Sequence, residues 1–170
     1  MICTGSSQAR IGNSATVSIG GYAPWSNISD GRFKKNLSED VKGLEFIMKL
    51  RPVKYQLDVQ GISTFLNESR GKEMNRAMQL GIQEKEKMIV SGFVAQEVET
   101  AARAVGYDFS GVDAPKNAKD LYSLRYSDFV VPLTKAVQEQ QSIITKQQET
   151  ITSLEARLKI LEEQMKAMRK

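Results

Sequence analysis

The C-terminal part of the chain is a heptad repeat, and this repeat limits how the region can fold. With Val130 at position a, ten of the twelve a and d positions up to Met168 are apolar. Position a holds Val130, Val137, Ile144, Ile151, Leu158 and Met165, and position d holds Leu133, Gln140, Gln147, Leu154, Leu161 and Met168. A strict 3.5-residue period over this length favours a supercoil of several helices. We therefore expect residues 127–170 to form one long helix of a coiled coil, the alternative being a helix that folds back on its own domain.

Three features of the repeat predict how many helices associate. Gln140 and Gln147 occupy successive d positions, where buried amides lower stability but fix the register by bonding to their copies. Ile143 at position g widens the seam and favours three helices over two. Arg157 at position g and Glu162 at position e have the spacing of an ion pair between parallel chains. The prediction is a parallel homotrimer.

The N-terminal end of this helix carries two further signals. Ser127 or Asp128 is expected to cap the helix, because short polar side chains accept hydrogen bonds from the first backbone N–H groups. Pro132 lies far enough inside to predict a separate first turn or a kink.

Residues 29–126 have the pattern of a small α+β domain. Strand patterns occur at 53–59, 89–95, 107–109 and 121–125, and helix patterns at 38–51 and 96–105. The first helix is expected to be capped by Ser38 and ended by Arg51-Pro52. One or two surface helices, broken near Gly71 and Gly81, are expected in the polar stretch 61–87. The predicted fold class is α+β: a small mixed sheet with packed helices, followed by the long C-terminal helix.

The N-terminal segment has a different composition. Residues 4–28 are rich in Gly, Ser and Asn and include a short alternating run at 15–19. This pattern predicts short strands and tight turns that bury little by themselves. Such a segment becomes stable by packing on something else, for instance on copies of itself in an intertwined β stalk. We therefore predict three parts: the end of a β-rich stalk at 1–28, the α+β core at 29–126 and the coiled-coil helix at 127–170.

Composition excludes several classes of function. The chain has no histidine, which excludes Ser-His-Asp and Cys-His catalysis and every histidine-ligated metal site. Cys3 is the single cysteine and cannot form an intrachain disulfide or a thiolate cluster. The formal net charge is +4, with Lys and Arg scattered among acidic residues, so nucleic acid is not an expected partner. No segment has the pattern of a membrane span or of a secretion signal, and we expect no cofactor, no metal and no membrane association.

One short polar motif, Ser29-Asp30-Gly31-Arg32-Phe33-Lys34-Lys35-Asn36, holds the residues best suited to chemistry. Without histidine, a serine hydroxyl needs another base such as lysine, and Lys34 stands five residues after Ser29. That spacing separates the two side chains on a helix and on a strand. Contact therefore needs the turn that Asp30-Gly31 predicts, or a lysine from a neighbouring chain. The base must also be neutral, which burial or a nearby cation such as Arg32 or Lys35 favours. On spacing alone, an ordinary surface turn explains the motif better.

Four sequence blocks in order resemble the endosialidase-type intramolecular chaperone domain, which ends phage tailspikes and tail fibres. The blocks lie at 29–36, at 43–44 with 50–55, at 92–98, and at 124–129 before the coiled coil. The resemblance covers roughly Ser26 to the C-terminus. A related module occurs in a family of membrane-tethered transcription factors.

The resemblance implies a homotrimeric, self-cleaving serine peptidase that acts once, on its own chain. Ser29 is then the nucleophile and Lys34 the general base, with the cut at the Ser29-Asp30 step. The domain helps three copies of an upstream β-stranded fibre to fold in register and is then released, so its implied partners are its own copies and that fibre segment. The implied location is a virion tail fibre or tailspike, or a prophage-encoded protein made in the bacterial cytoplasm. The alternative is a structural trimerisation and capping module that never cleaves.

Overall fold

The computed structural model of the protein describes residue 3, residues 8–68 and residues 75–169. The helices are α1 (Leu44–Ile47), α2 (Val59–Phe65), α3 (Arg76–Lys87), α4 (Ala95–Ala104) and α5 (Val130–Met168). The strands are β1 (Val53–Tyr55), β2 (Val90–Gly92), β3 (Val112–Asp113) and β4 (Ser123–Leu124). Two 3-10 helices lie at Gly31–Phe33 and Tyr126–Phe129. The α+β class and the long C-terminal helix are confirmed, whereas the break predicted near Gly71 lies outside the described residues.

The strands form two separate pairs, so the prediction of one mixed sheet is wrong. Strand β1 pairs antiparallel with β2, with Val53 opposite Gly92, and β3 pairs antiparallel with β4. The alternation over 53–59 predicts a longer strand than β1. The strand is shorter because Asp58 caps α2, accepting a hydrogen bond from the Gly61 N–H at 2.7 Å. Val59 therefore belongs to a helix and is buried there.

The core lies between α4, α1 and the start of α5. Helix α4 contributes the apolar face expected from its sequence, and the buried cluster consists of Phe46, Val98, Ala101, Ala102, Val105, Phe109 and Phe129. Phe109 lies 4.9 Å from Phe46 and 4.8 Å from Phe129 between ring centroids. The predicted strand at 107–109 does not form. Its aromatic residues Tyr107 and Phe109 instead both pack on the Phe46 ring. Partial burial raises the pKa of the Tyr107 phenol.

Helix α1 is shorter than predicted. The Ser38 hydroxyl donates to Asp40 at 2.8 Å instead of capping a helix, and the N-cap is Gly43. The Glu139 carboxylate of α5 serves that end of α1, since its Oε2 accepts from the Leu44 N–H at 2.7 Å. A Cβ at Gly43 would lie 2.7 Å from the Ala136 backbone nitrogen. Glycine therefore permits the close contact between α1 and α5.

Helix α3 runs through Gly81 without a break, contrary to prediction. Its N-cap is Asn75, whose side chain accepts from the Met78 N–H at 2.9 Å. The reason for a glycine in mid-helix is a close neighbour, because a Cβ at Gly81 would lie 2.9 Å from the Ala15 Cβ. Ala15 belongs to the N-terminal segment, where residues 8–28 contain turns but none of the predicted strands. A strand needs a partner along its edge, and within one copy this segment has none.

Helix α5 begins after the 3-10 helix Tyr126–Phe129, which confirms a separate first turn. Its N-cap is Phe129, so the predicted caps are wrong: Asp128 instead accepts from the Ser110 hydroxyl at 2.9 Å. Pro132 is buried and stands in the first turn, where its missing N–H leaves no bond unmade. Among the residues described, no helix combines the length and the apolarity that crossing a membrane requires.

The a and d positions of α5 form an apolar stripe that this copy leaves uncovered. Leu154, Leu158 and Leu161 are 54%, 58% and 55% exposed. The face that packs on the core is a different one, marked by the buried Pro132 and Ala136 at heptad positions c and g. The two faces do not compete, so α5 can hold its own core and still offer the stripe to other helices.

Candidate functional site

A single 3-10 turn positions the candidate site. Asp30 is the N-cap of Gly31–Phe33, and its Oδ1 accepts from the Arg32 N–H at 2.9 Å. The Phe33 N–H donates to the Asp30 carbonyl at 3.1 Å, and the Lys34 N–H donates to the Gly31 carbonyl at 3.2 Å. The turn predicted at Asp30-Gly31 is thus present.

The turn brings together the two residues singled out by their chemistry. Lys34 Nζ donates to Ser29 Oγ at 2.9 Å. A regular helix or strand would have kept the side chains apart, but here both flanks of a one-turn 3-10 helix are extended. Asp30 at −72°, 122° and Lys34 at −88°, 129° direct the chain so that the two side chains meet.

Asp30 and Arg32 form a tight ion pair beside this contact. Arg32 Nη2 lies 2.6 Å from Asp30 Oδ2, and Arg32 Nε donates to both carboxylate oxygens at 3.0 and 3.1 Å. The side chain of Arg32 and then its backbone N–H hold the pKa of Asp30 below its usual value, and the same contact raises the pKa of Arg32. The sequence predicts that Arg32 acts as a cation beside Lys34. Its charge is instead engaged by Asp30, and its guanidinium carbon lies 5.7 Å from the centroid of the Phe33 ring.

The motif ends on Asn36, whose backbone conformation the sequence does not predict. Asn36 has a φ of 53°, in the left-handed region that asparagine tolerates better than most residues. The sign visible in the sequence was an asparagine directly after a basic pair. Asn36 turns the chain away from the site towards α1.

Within one copy the site is open. Ser29 and Lys34 are both exposed. The large apolar side chains near them in the sequence are exposed as well: Trp25 by 87%, Ile28 by 96%, Phe33 by 75% and Leu37 by 80%. Serine chemistry with a lysine base works best out of water, where the neutral amine is favoured. The contact between the two side chains is therefore present, and enclosure of the site is not.

The other blocks noted in the sequence contact one another. Tyr126 Oη accepts from the Phe93 N–H at 3.1 Å, and Phe93 stacks on Phe129 with 5.4 Å between ring centroids. Arg51 Nη2 pairs with Glu97 at 2.5 Å, which lowers the pKa of that carboxyl. These blocks build the core. Among the residues described, no group of three or more His, Cys, Asp or Glu side chains could hold a metal ion.

Comparison with known proteins matches this part of the chain to a family. Residues 29–107 fit the model of a peptidase family described as the chaperone of endosialidase. The match begins at Ser29 and ends before the block at 124–129 and before α5. It confirms the resemblance based on the sequence blocks. No curated protein and no solved structure matches the chain significantly.

Proposed function

Because residues 29–107 fit the model of the chaperone-of-endosialidase family, we propose that the chain is a C-terminal intramolecular chaperone that assembles three copies and then cuts itself. Residues 1–28 are the end of the β-stranded fibre that it registers. Ser29 and Lys34 carry out the cut at the Ser29-Asp30 step. The observation that carries the proposal is the 2.9 Å contact between Lys34 Nζ and Ser29 Oγ.

The contact suits a serine-lysine mechanism. With the amine neutral, the Ser29 hydroxyl donates its proton to Lys34 Nζ as Oγ attacks the carbonyl carbon of the Ser29-Asp30 bond in a neighbouring copy, because attack on its own carbonyl would close a strained four-membered lactone. The ammonium then returns the proton to the leaving amine, and an ester on Ser29 remains. Water hydrolyses this ester with the lysine again accepting a proton. Each step uses the same pair of atoms, so no further base is required.

Assembly supplies what one copy lacks. The apolar stripe of α5 and the apolar side chains near Ser29 in the sequence are exposed in the single chain, and further copies would cover both. Association through α5 raises the local concentration of the three N-terminal segments, which favours their registration. Enclosing Ser29 and Lys34 favours the neutral amine, so the cut follows assembly. Cleavage then removes the route back and leaves the fibre kinetically trapped.

The decisive experiment is intact-mass analysis of the purified chain and of matched variants. We expect the unsubstituted chain to give two fragments that meet at Ser29, and Ser29→Ala and Lys34→Ala to remain full length. Ser26→Ala and Lys49→Ala are the matched controls, because each replaces an exposed residue of the same type outside the motif at 29–36, and both should cleave normally. A chain that assembles and stays intact would contradict the peptidase assignment.

The exposure of Ser29 and Lys34 favours one other function, a structural module that trimerises and caps a fibre without cutting it. The α5 stripe serves this function equally well. The mass experiment separates the two, because a capping module gives one full-length product in every variant.

Virion tail fibres and tailspikes remain the proposed location, including those encoded by prophages and made in the bacterial cytoplasm. The proposed partners are the other copies of the chain and the fibre segment. Neither nucleic acid nor membrane has a part in the proposal.

A further inference from the structure

The N-terminal segment is attached to the core by more than its covalent link. Arg10 Nη2 pairs with Asp120 Oδ1 at 3.0 Å, and the Asp120 side chain is only 4% exposed. The same carboxylate accepts from the backbone N–H groups of Leu121 at 3.0 Å and of Lys116 at 3.3 Å. The loop after β3 therefore positions the carboxylate through bonds that do not involve Arg10.

A second contact lies on α3. The Asn13 carbonyl accepts from the Thr16 N–H at 3.0 Å, and the Asn13 side chain accepts from the Ala15 N–H at 2.9 Å. This compact turn buries Ser14 and sets Ala15 against Gly81. A glycine is unfavourable in the middle of a helix, and its presence here is explained by the space that Ala15 needs.

The stretch between this attachment and the candidate cut buries none of its residues. Every residue from 17 to 29 is exposed. A break at Ser29 leaves Arg10 on Asp120 and Ala15 on Gly81, because neither contact passes through the severed bond.

We propose that the loop around Asp120 and the surface of α3 around Gly81 form a docking site for residues 8–16, which keeps the fibre side bound to the chaperone after the cut. Cutting and release are then separate steps. The proposal rests on the proposed function for the meaning of the cut, but the docking site is defined by its own contacts. The partner it fits is a short turn preceded by an arginine.

In the test, an added protease cuts the chain, so that the cut does not depend on Ser29. In the full chain carrying Ser29→Ala, the recognition sequence of a site-specific protease is inserted between Gly20 and Gly21, which are both exposed. The single cysteine, Cys3, is exposed and takes a fluorescent dye, so the dye reports residues 1–20. After digestion, gel filtration and fluorescence anisotropy measure how fast the dye leaves the remainder of the chain.

We expect the dye to co-elute with the core in the otherwise unsubstituted chain. Arg10→Gln removes a charge-assisted bond from an almost buried carboxylate, and we expect release to become roughly tenfold to a hundredfold faster. Gly81→Ala should also speed release. It raises the helix propensity of α3, so its effect cannot be attributed to a weaker helix.

Arg51→Gln is the matched control, because it breaks an ion pair with Glu97 that does not involve residues 8–16. The proposal is wrong if the dye leaves the unsubstituted chain immediately after the cut. It is equally wrong if Arg10→Gln releases the dye no faster than Arg51→Gln. Because an added protease makes the cut, neither result depends on whether Ser29 and Lys34 are catalytic.

Discussion

Asp30 has two functions in the turn that joins Ser29 to Lys34. Its carboxylate caps the 3-10 helix through the Arg32 N–H and binds the Arg32 side chain. Because these contacts lower the pKa of Asp30 from 3.8, their stabilising effect is present above the ordinary carboxyl pKa and is lost as the pH falls through the lowered value. The carboxylate therefore contributes its full stabilising effect to the turn at neutral pH.

Replacing Asp30 tests whether this cap positions Lys34. Asp30→Ala removes the cap that holds the turn, so we expect the rate of self-cleavage to fall several-fold. Asp30→Asn keeps a capping oxygen and should retain most of the rate. The fraction cleaved over time, measured by intact mass, distinguishes them. Equal rates for Asp30→Ala and Asp30→Asn would mean that the cap does not position the lysine.

The contact between Ser29 and Lys34 could be anticipated only in part from the sequence. The Asp30-Gly31 pair predicts a turn, and a turn is what the contact requires. The sequence does not decide whether Arg32 forms an ion pair with Asp30 or acts as a cation beside Lys34, because both residues lie two positions away from it. The three-dimensional structure decides this, since a capping carboxylate is already fixed within reach of the guanidinium.

At the level of secondary-structure elements, the packing of α1 on α5 depends on Gly43. An alanine Cβ at this position would lie 2.7 Å from both the Ala136 nitrogen and Glu139 Oε2. We expect Gly43→Ala to lower the free energy of unfolding by about 1–3 kcal/mol, as overpacking does. Urea denaturation followed by circular dichroism measures it. Gly20→Ala is the control, because a Cβ there meets nothing within 4 Å, and an equal midpoint for both variants would contradict the prediction.

Long elements were predictable and short ones were not. Helices α4 and α5 have apolar faces that repeat over several turns, and both lie close to where the pattern indicates. The strands span two or three residues, too few for alternation to define their ends. The sequence predicts a longer α1 than the structure has. The N-terminus of α1 is capped from α5 by Glu139, a contact 95 residues away that local sequence cannot reveal.

At the level of the whole molecule, the apolar stripe of α5 predicts self-association. Leu154→Asp places a charge at position d, where helices of different copies meet, and we expect the variant to sediment as a monomer at micromolar concentration. Ala156→Asp adds the same charge two residues away at position f, on the outer surface, and should sediment as the unsubstituted chain does. The trimer prediction fails if the unsubstituted chain is itself a monomer.

The bond between Glu139 and the start of α1 also has a mechanical consequence. Helix α5 has 39 residues and is therefore about 58 Å long, and it is held near one end where Ala136 and Glu139 meet Gly43. The contact with Gly43 is therefore the point about which α5 would pivot. A rotation of about 10° there moves the far tip, about 48 Å from Ala136, by about 8 Å. In the proposed trimer, the angle set at this single small residue would determine where the tips of neighbouring copies converge.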